Sequence, residues 1–250
     1  MANPIPSAPA STAWAGAGAG AATAAVAVAE GRTALVAGAT GLVGREILQG
    51  LLAADDVAAV HTLGRRRMPV AHPKLTQHIV DFSALPALPP VDEVYLALGT
   101  TIKVAGSQDA FRAVDYDANL AVARLARASG ATKAALVSAM GADPRSRVFY
   151  SRIKGELEQA LEALGFDTLA IARPSFLAGD RASLGQPQRS GERLALVISR
   201  VLAPLIPDNY KAIQASAVAS ALLEAVRSGR GQQVLSSSQM RNRSQATHAA

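Results

Sequence analysis

Tyr150 and Lys154 stand four residues apart in FYSRIKGELE, so on a helix they project from one face, one turn apart. A phenol ordinarily titrates near pH ~10, too high for efficient proton transfer at neutral pH, and a neighbouring ammonium favours its ionised form. The pair therefore suits delivery or removal of a proton at a substrate oxygen. The alternative is a plain Tyr–Lys contact on an amphipathic helix.

A second pattern lies upstream. Gly38, Gly41 and Gly44 recur at every third position in GATGLVG, between the apolar run TALVA and a helical pattern. Gly38 suits a tight turn, Gly41 lets backbone N–H groups approach a pyrophosphate, and Gly44 permits close helix–strand packing. The unpaired N–H groups and dipole of the helix that follows attract anions. An ordinary Gly-rich turn capping a helix is the alternative. Downstream, Thr62-Leu63-Gly64-Arg65-Arg66 occupies the place where an NAD site puts an acid on the ribose 2′-hydroxyl. Here no acid is present, and guanidinium groups are good partners for a 2′-phosphate. This predicts NADP(H) in preference to NAD(H), against the alternative of a solvated basic loop. Asp81, in IVDF, is placed either to accept from an adenine amino group or to cap a turn.

These residues need a frame, and the apolar pattern supplies one. Strands are predicted at Thr33–Ala37, Ala58–Leu63, Leu75–Val80, Glu93–Leu98, Lys133–Ser138 and Asp167–Ala172. Helices are predicted at Val43–Ala53, Ser107–Ala128, Val148–Leu164, Ser190–Leu202 and Ile213–Val226. Short apolar strands alternating with helices imply an α/β fold, a doubly wound parallel sheet covered on both faces. Ligands of such sheets bind beyond the carboxyl ends of the strands. The expected organisation is a disordered leader over 1–30, a dinucleotide-binding domain over 31–230, and a flexible tail over 231–250. Within the domain, 174–230 reads as a small C-terminal substrate-side lobe.

Composition narrows the function classes. Half of the 250 residues are hydrophobic, which supports a packed core. Cysteine is absent, excluding disulfides, thiolate nucleophiles and Cys-ligated metals; the four histidines include no H-x-x-x-H pair, which argues against a zinc enzyme. The net charge is +6, yet the one dense basic run, Arg65-Arg66-Arg67, has no interleaved aromatics, against nucleic acid as a main partner. The Pro- and Ala/Gly-rich leader lacks the basic and leucine-like parts of a signal peptide, and no segment reads as a membrane span. A cytoplasmic protein with a small-molecule substrate, without nucleic-acid or membrane partners, is expected; a homodimer is allowed.

Taken with LGTT, VSAMGAD and ARPSFLAGDR, these motifs resemble the short-chain dehydrogenase/reductase family, in its atypical, Tat-interacting-protein-like branch. The resemblance spans about 32–228 and implies a Rossmann-like fold. By it, Gly38, Thr40, Gly41, Leu42, Val43 and Gly44 would hold the pyrophosphate, and Arg65 and Arg66 the 2′-phosphate. Asp81 and Phe82 would lie by the adenine, and Leu98, Gly99 and Thr100 beneath the cofactor. Tyr150 would be the acid/base, and Lys154 would bind the nicotinamide ribose; Pro174, Ser175 and Phe176 would pack by the nicotinamide amide. Ser138, twelve residues before Tyr150, is close to the family's spacing for the carbonyl-polarising serine. Many relatives carry that hydroxyl one place later, where this chain has Ala139. An NADPH-dependent oxidoreductase acting on a carbonyl or alcohol follows. Alternatives are a non-catalytic NADPH sensor or scaffold and, less fittingly, an NDP-sugar epimerase with retained NAD.

Overall fold

A strand whose interior positions are apolar on both faces persists where both faces are covered, and the central strands of this chain meet that condition. In the computed structural model, residues 31–178, 209 and 211–249 are described. The strands are β1 (Arg32–Ala37), β2 (Val57–Gly64), β3 (Leu75–Ile79), β4 (Glu93–Leu96), β5 (Lys133–Val137) and β6 (Thr168–Arg173), with β7 (Leu177–Ala178), β8 (Ile213–Gln214) and β9 (Gly231–Ser236) later. Seven form one parallel sheet in the order β3-β2-β1-β4-β5-β6-β9, while β7 and β8 pair separately. The strand order reverses between β1 and β4, which opens a crevice beyond their carboxyl ends.

The helices are α1 (Leu42–Ala53), the short α2 (Ile102–Ala105), α3 (Gln108–Arg112), α4 (Asn119–Ala128), α5 (Phe149–Glu162), α6 (Ala215–Ser228) and α7 (Ser237–Ala249). The helix expected over Ser107–Ala128 is present, but its centre, Ala113–Ala118, is wound as a π-helix. One layer packs Ile47, Leu48 and Leu51 of α1 with Val218 and Leu222 of α6 against Val36 and Val60. The other sets Leu120 and Ala123 of α4 and Leu157 and Leu161 of α5 against Leu35, Leu96 and Leu136.

The end of the chain departs from expectation. Helix α6, read as part of a substrate-side lobe, belongs to the main layer beside α1. The region expected as a flexible tail supplies the seventh strand, paired from Gly231 to Ser236 with Thr168–Arg173, followed by a helix. The polarity of GQQVLS hid that strand: β9 lies at the sheet margin with Gln232 and Gln233 exposed or half-buried, so it lacks an apolar signature. The leader 1–30 and the predicted helix Ser190–Leu202 lie outside the described residues.

Two polar clusters sit away from the crevice. At the amino ends of the strands, Arg32 pairs with exposed Asp56 (Nε–Oδ2 3.1 Å) and with the buried Glu93, whose Oε1 also accepts the Tyr95 hydroxyl at 3.1 Å. Burial pushes the Glu93 carboxyl up against the pull of Arg32. On β2 and β3, His61 Nδ1 lies 3.0 Å from His78 Nε2. Burial, then the neighbouring His78, holds the His61 imidazole below its ordinary value near 6.5. A depressed imidazole gives stability that is full above pH ~6.5 and lost as pH falls through its folded-state value. The melting temperature should therefore fall between pH 7 and 5, and less steeply in His61→Leu. Parallel melting curves against pH for the two proteins would refute this attribution.

Candidate functional site

The glycine loop takes the form its spacing suggests. Gly38 turns at φ +91°, and a Cβ there would stand 2.4 Å from the Ala97 carbonyl oxygen. A Cβ at Gly44 would lie 2.1 Å from the Gly38 carbonyl oxygen, so α1 can approach this turn only without one. Gly41 caps helix α1 without a side-chain hydrogen bond and the first turn holds no acid, which suits its leading N–H groups to an anion. The exposed Arg65 and Arg66 directly follow β2, the neighbour of β1. Their side chains make no ion pair among the described residues.

Beyond β4 the chain passes Leu98, Gly99 and Thr100 and is tied to the π-helical turn. Asp115 Oδ2 accepts the Thr100 N–H at 2.8 Å, and its Oδ1 lies 2.7 Å from Lys154 Nζ. Both side chains are buried, Lys154 to 5% and Asp115 to 1% exposure. The Asn119 amide donates to the carbonyls of Leu98, Val114 and Asp115 at 3.2, 3.3 and 3.1 Å, while its own Oδ1 is buried with no hydrogen-bond partner among the described residues. Tyr150, one turn before Lys154 on α5, is 37% exposed, its ring 5.7 Å from that of Phe111. The buried Lys154 and the part-exposed Tyr150 thus sit one turn apart on α5.

Ser138 does not join that pair. Its hydroxyl donates to the buried Glu158 carboxylate two turns beyond Tyr150, and Arg173 grips the same carboxylate (Nη2–Oε2 2.5 Å, Nε–Oε1 3.1 Å). The Glu158 hydrogen bond raises the Arg173 guanidinium further above its ordinary range. The Ser138 hydroxyl thus points its proton at the Glu158 carboxylate, and buried Ala139 follows without a hydroxyl.

Asp81 takes the capping option, with Oδ1 accepting the Ser83 N–H at 2.9 Å; that bond holds its carboxyl below the usual range. Phe82 and Leu98 pack on the α4–α5 layer. The Pro174 carbonyl accepts from Met140, and Ser175 is held by Ser237 and the Lys211 carbonyl, leaving Phe176 exposed. A cavity of about 290 Å³ opens at the ends of β5, β6 and β9, lined in part by Met140, Gly141, Arg173 and Ser236; neither Tyr150 nor Lys154 lines it. Among the described residues, no group of three or more His, Cys, Asp or Glu could hold a metal, and no helix is long and apolar enough to cross a membrane.

Sequence reading missed Asp115, Asn119, Glu158 and Arg173. Their signal was position: Asp115 falls on the buried stripe Phe111, Ala118, Val122, and Glu158 beside Leu157 and Leu161, where a polar side chain needs a partner.

No protein-family profile matches the chain. Among curated proteins, HTATIP2 of Rattus norvegicus is 36% identical over 173 residues, covering 66% of this chain and 69% of that protein. FMP52 of Coccidioides immitis is 36% identical over 165 residues, 60% of this chain and 67% of the relative. The fmp52 protein of Emericella nidulans is 38% identical over 154 residues, 58% of this chain and 66% of the relative. The chain thus spans about two thirds of the length of these relatives. The FMP52 relatives are named mitochondrial, which overturns the cytoplasmic location expected above. Among solved structures, MoeE5 in complex with UDP-glucose and NAD superposes with a TM-score of 0.62 at 16% identity, covering 87% of this chain and 82% of that one. The Bordetella bronchiseptica enzyme WbmH in complex with NAD+ gives 0.60 at 17% identity, with 82% and 75% covered. At such identities the likeness is one of fold, and that fold is the Rossmann-like one. With sequence relatives and architecture in agreement, the chain belongs to the short-chain dehydrogenase/reductase-like family of HTATIP2 and FMP52.

Proposed function

We propose that this protein is an NADPH-dependent oxidoreductase that moves hydride between nicotinamide and a small carbonyl or alcohol substrate. The observation that carries the reading is Asp115, which holds both the Thr100 amide and Lys154, one turn from Tyr150 on α5. Thr100 lies three residues beyond Ala97, against which the Gly38 turn packs. On this reading the phosphate loop and the proton-transfer pair serve one crevice. The residues fit the cofactor: the α1 terminus and Gly38–Gly44 for the pyrophosphate, Arg65 and Arg66 for a 2′-phosphate, and Lys154 for the nicotinamide ribose. The bound nicotinamide would supply or take the hydride; Tyr150 would hold the proton exchanged with the substrate oxygen.

Titration of NADPH and NADH tests the cofactor preference. Charge-assisted hydrogen bonds contribute about 1.5–3 kcal/mol, so NADPH should bind tenfold or more tightly than NADH. Replacing Arg65 and Arg66 by alanine should erase that gap and leave NADH affinity nearly unchanged. Equal or reversed affinities in the wild type would sink the NADP(H) assignment.

A second reading, a dinucleotide-binding sensor without turnover, draws on one observation: the Ser138 proton is held by Glu158 and Ala139 follows. A carbonyl panel that oxidises no NADPH, in a protein that binds it, would favour the sensor. Activity gained in Ala139→Ser would then trace the silence to the missing hydroxyl.

A further inference from the structure

We propose that the cavity at the ends of β5, β6 and β9 is a binding site for a short aliphatic carboxylate, gripped by the outer edge of the Arg173 guanidinium. Neither the glycine loop nor Tyr150 and Lys154 line it, so the inference does not rest on the dinucleotide reading. Strand register sets its parts on one face of the sheet. Arg173 pairs with Ser236 and Ile171 with Val234, and Ile171 packs in the α4–α5 layer. From the end of β6, Arg173 reaches Glu158 on α5 through Nε and Nη2, whereas Nη1 has no hydrogen-bond partner among the described residues. Asn209 is placed alike. Its Oδ1 accepts the Ser238 N–H at 3.3 Å and the Ser238 hydroxyl at 2.7 Å, and its amide protons have no partner among the described residues. The walls are tied down as well. The Met140 N–H donates to the Pro174 carbonyl at 2.9 Å, and Gln239 Oε1 accepts both the N–H and the hydroxyl of Ser236.

The lining selects the ligand. Arg173 and Asn209 offer donors, while Met140 and the exposed Val234 offer apolar surface. A guanidinium presents parallel N–H bonds that match the two oxygens of a carboxylate, and it keeps its charge at any working pH. Glu158, itself accepting the Ser138 proton, fixes the guanidinium plane in advance and so lowers the ordering cost of binding. A volume of about 290 Å³ stands at the small end of ligand pockets, with room for a short apolar stem that ends in one acid group.

The test is calorimetric titration of the full chain with hexanoate and with hexanamide, which share a stem and differ in charge, in a buffer free of carboxylate and phosphate. Hexanoate should bind tenfold or more tightly than the amide. The neutral double variant Arg173→Met/Glu158→Gln leaves no buried carboxylate unpaired and keeps an acceptor for Ser138; it should erase that preference. If it does not fold, Val234→Trp decides. This change fills the cavity from the exposed margin strand and should weaken hexanoate tenfold or more. Equal affinities for the two probes, binding of neither, or a preference that survives in the folded variant overturns the proposal. NADPH titrated into the same wild-type sample separates the two readings: dinucleotide binding without hexanoate binding overturns this inference alone, and the reverse overturns the cofactor reading alone.

Discussion

Tyr150→Phe should lower turnover of an accepted carbonyl substrate by about 10²–10⁴, the usual scale for losing a positioned acid, with dinucleotide affinity within about twofold of wild type. The substitution removes one oxygen from a side chain that is 37% exposed and keeps the ring that meets Phe111, so the fold should hold. The phosphate loop follows β1, on a different element from Tyr150, and should not register the change. Steady-state kinetics at saturating cofactor, paired with direct titration, separates the two quantities. A variant that turns over as fast as wild type would remove Tyr150 from the chemistry.

At the opposite end of the sheet, Arg32→Met should cost about 3–5 kcal/mol of folding stability, as expected when one partner of a buried ion pair is removed. Glu93 is 1% exposed and would keep only the Tyr95 hydroxyl, while the apolar stem of Arg32, itself 19% exposed, is replaced by one of similar length. The pH dependence has a definite sign. Burial already raises the Glu93 carboxyl from its ordinary value near 4.5, and removing Arg32 raises it further. A carboxyl raised in the folded state favours folding at low pH and loses that contribution as pH climbs through its folded-state value. The penalty should therefore be smaller at pH 5 than at pH 8, as read by urea denaturation at both. A loss under ~1 kcal/mol, or one independent of pH, would show that solvent reaches Glu93.

Much of the architecture was legible because the central strands carry short apolar runs and alternate with amphipathic helices. Thr33–Ala37 and Asp167–Ala172 differ from β1 and β6 by a residue at their ends. β9 was hidden because a margin strand with exposed glutamines has no reason to be apolar. In the site, Gly38, Gly44, Tyr150 and Lys154 were readable since backbone approach and helical spacing are local properties. The partners of Lys154 and Ser138 were not. Asp115 lies 39 positions before Lys154 and Glu158 lies 20 after Ser138, and only the folded chain brings each pair together. The family resemblance placed Ser138 in the chemistry; its hydrogen bond to Glu158 could be read only from the fold.

The late arrival of β9 also shapes how this chain must be made. Until residues 231–236 leave the ribosome, nascent β6 shows its unpaired backbone along TLAIAR, an apolar row suited to another molecule's strand. At ordinary synthesis rates the 63 positions separating Arg173 from Ser236 take roughly 3–12 s. Over that interval the sheet is open to chaperones or to misassembly, and the polar GQQVLS strand that ends it serves as a seal that invites no further partner. A stop codon falling shortly before residue 231 would leave the row exposed for good, so the product's first fault would be aggregation, ahead of any loss at Tyr150.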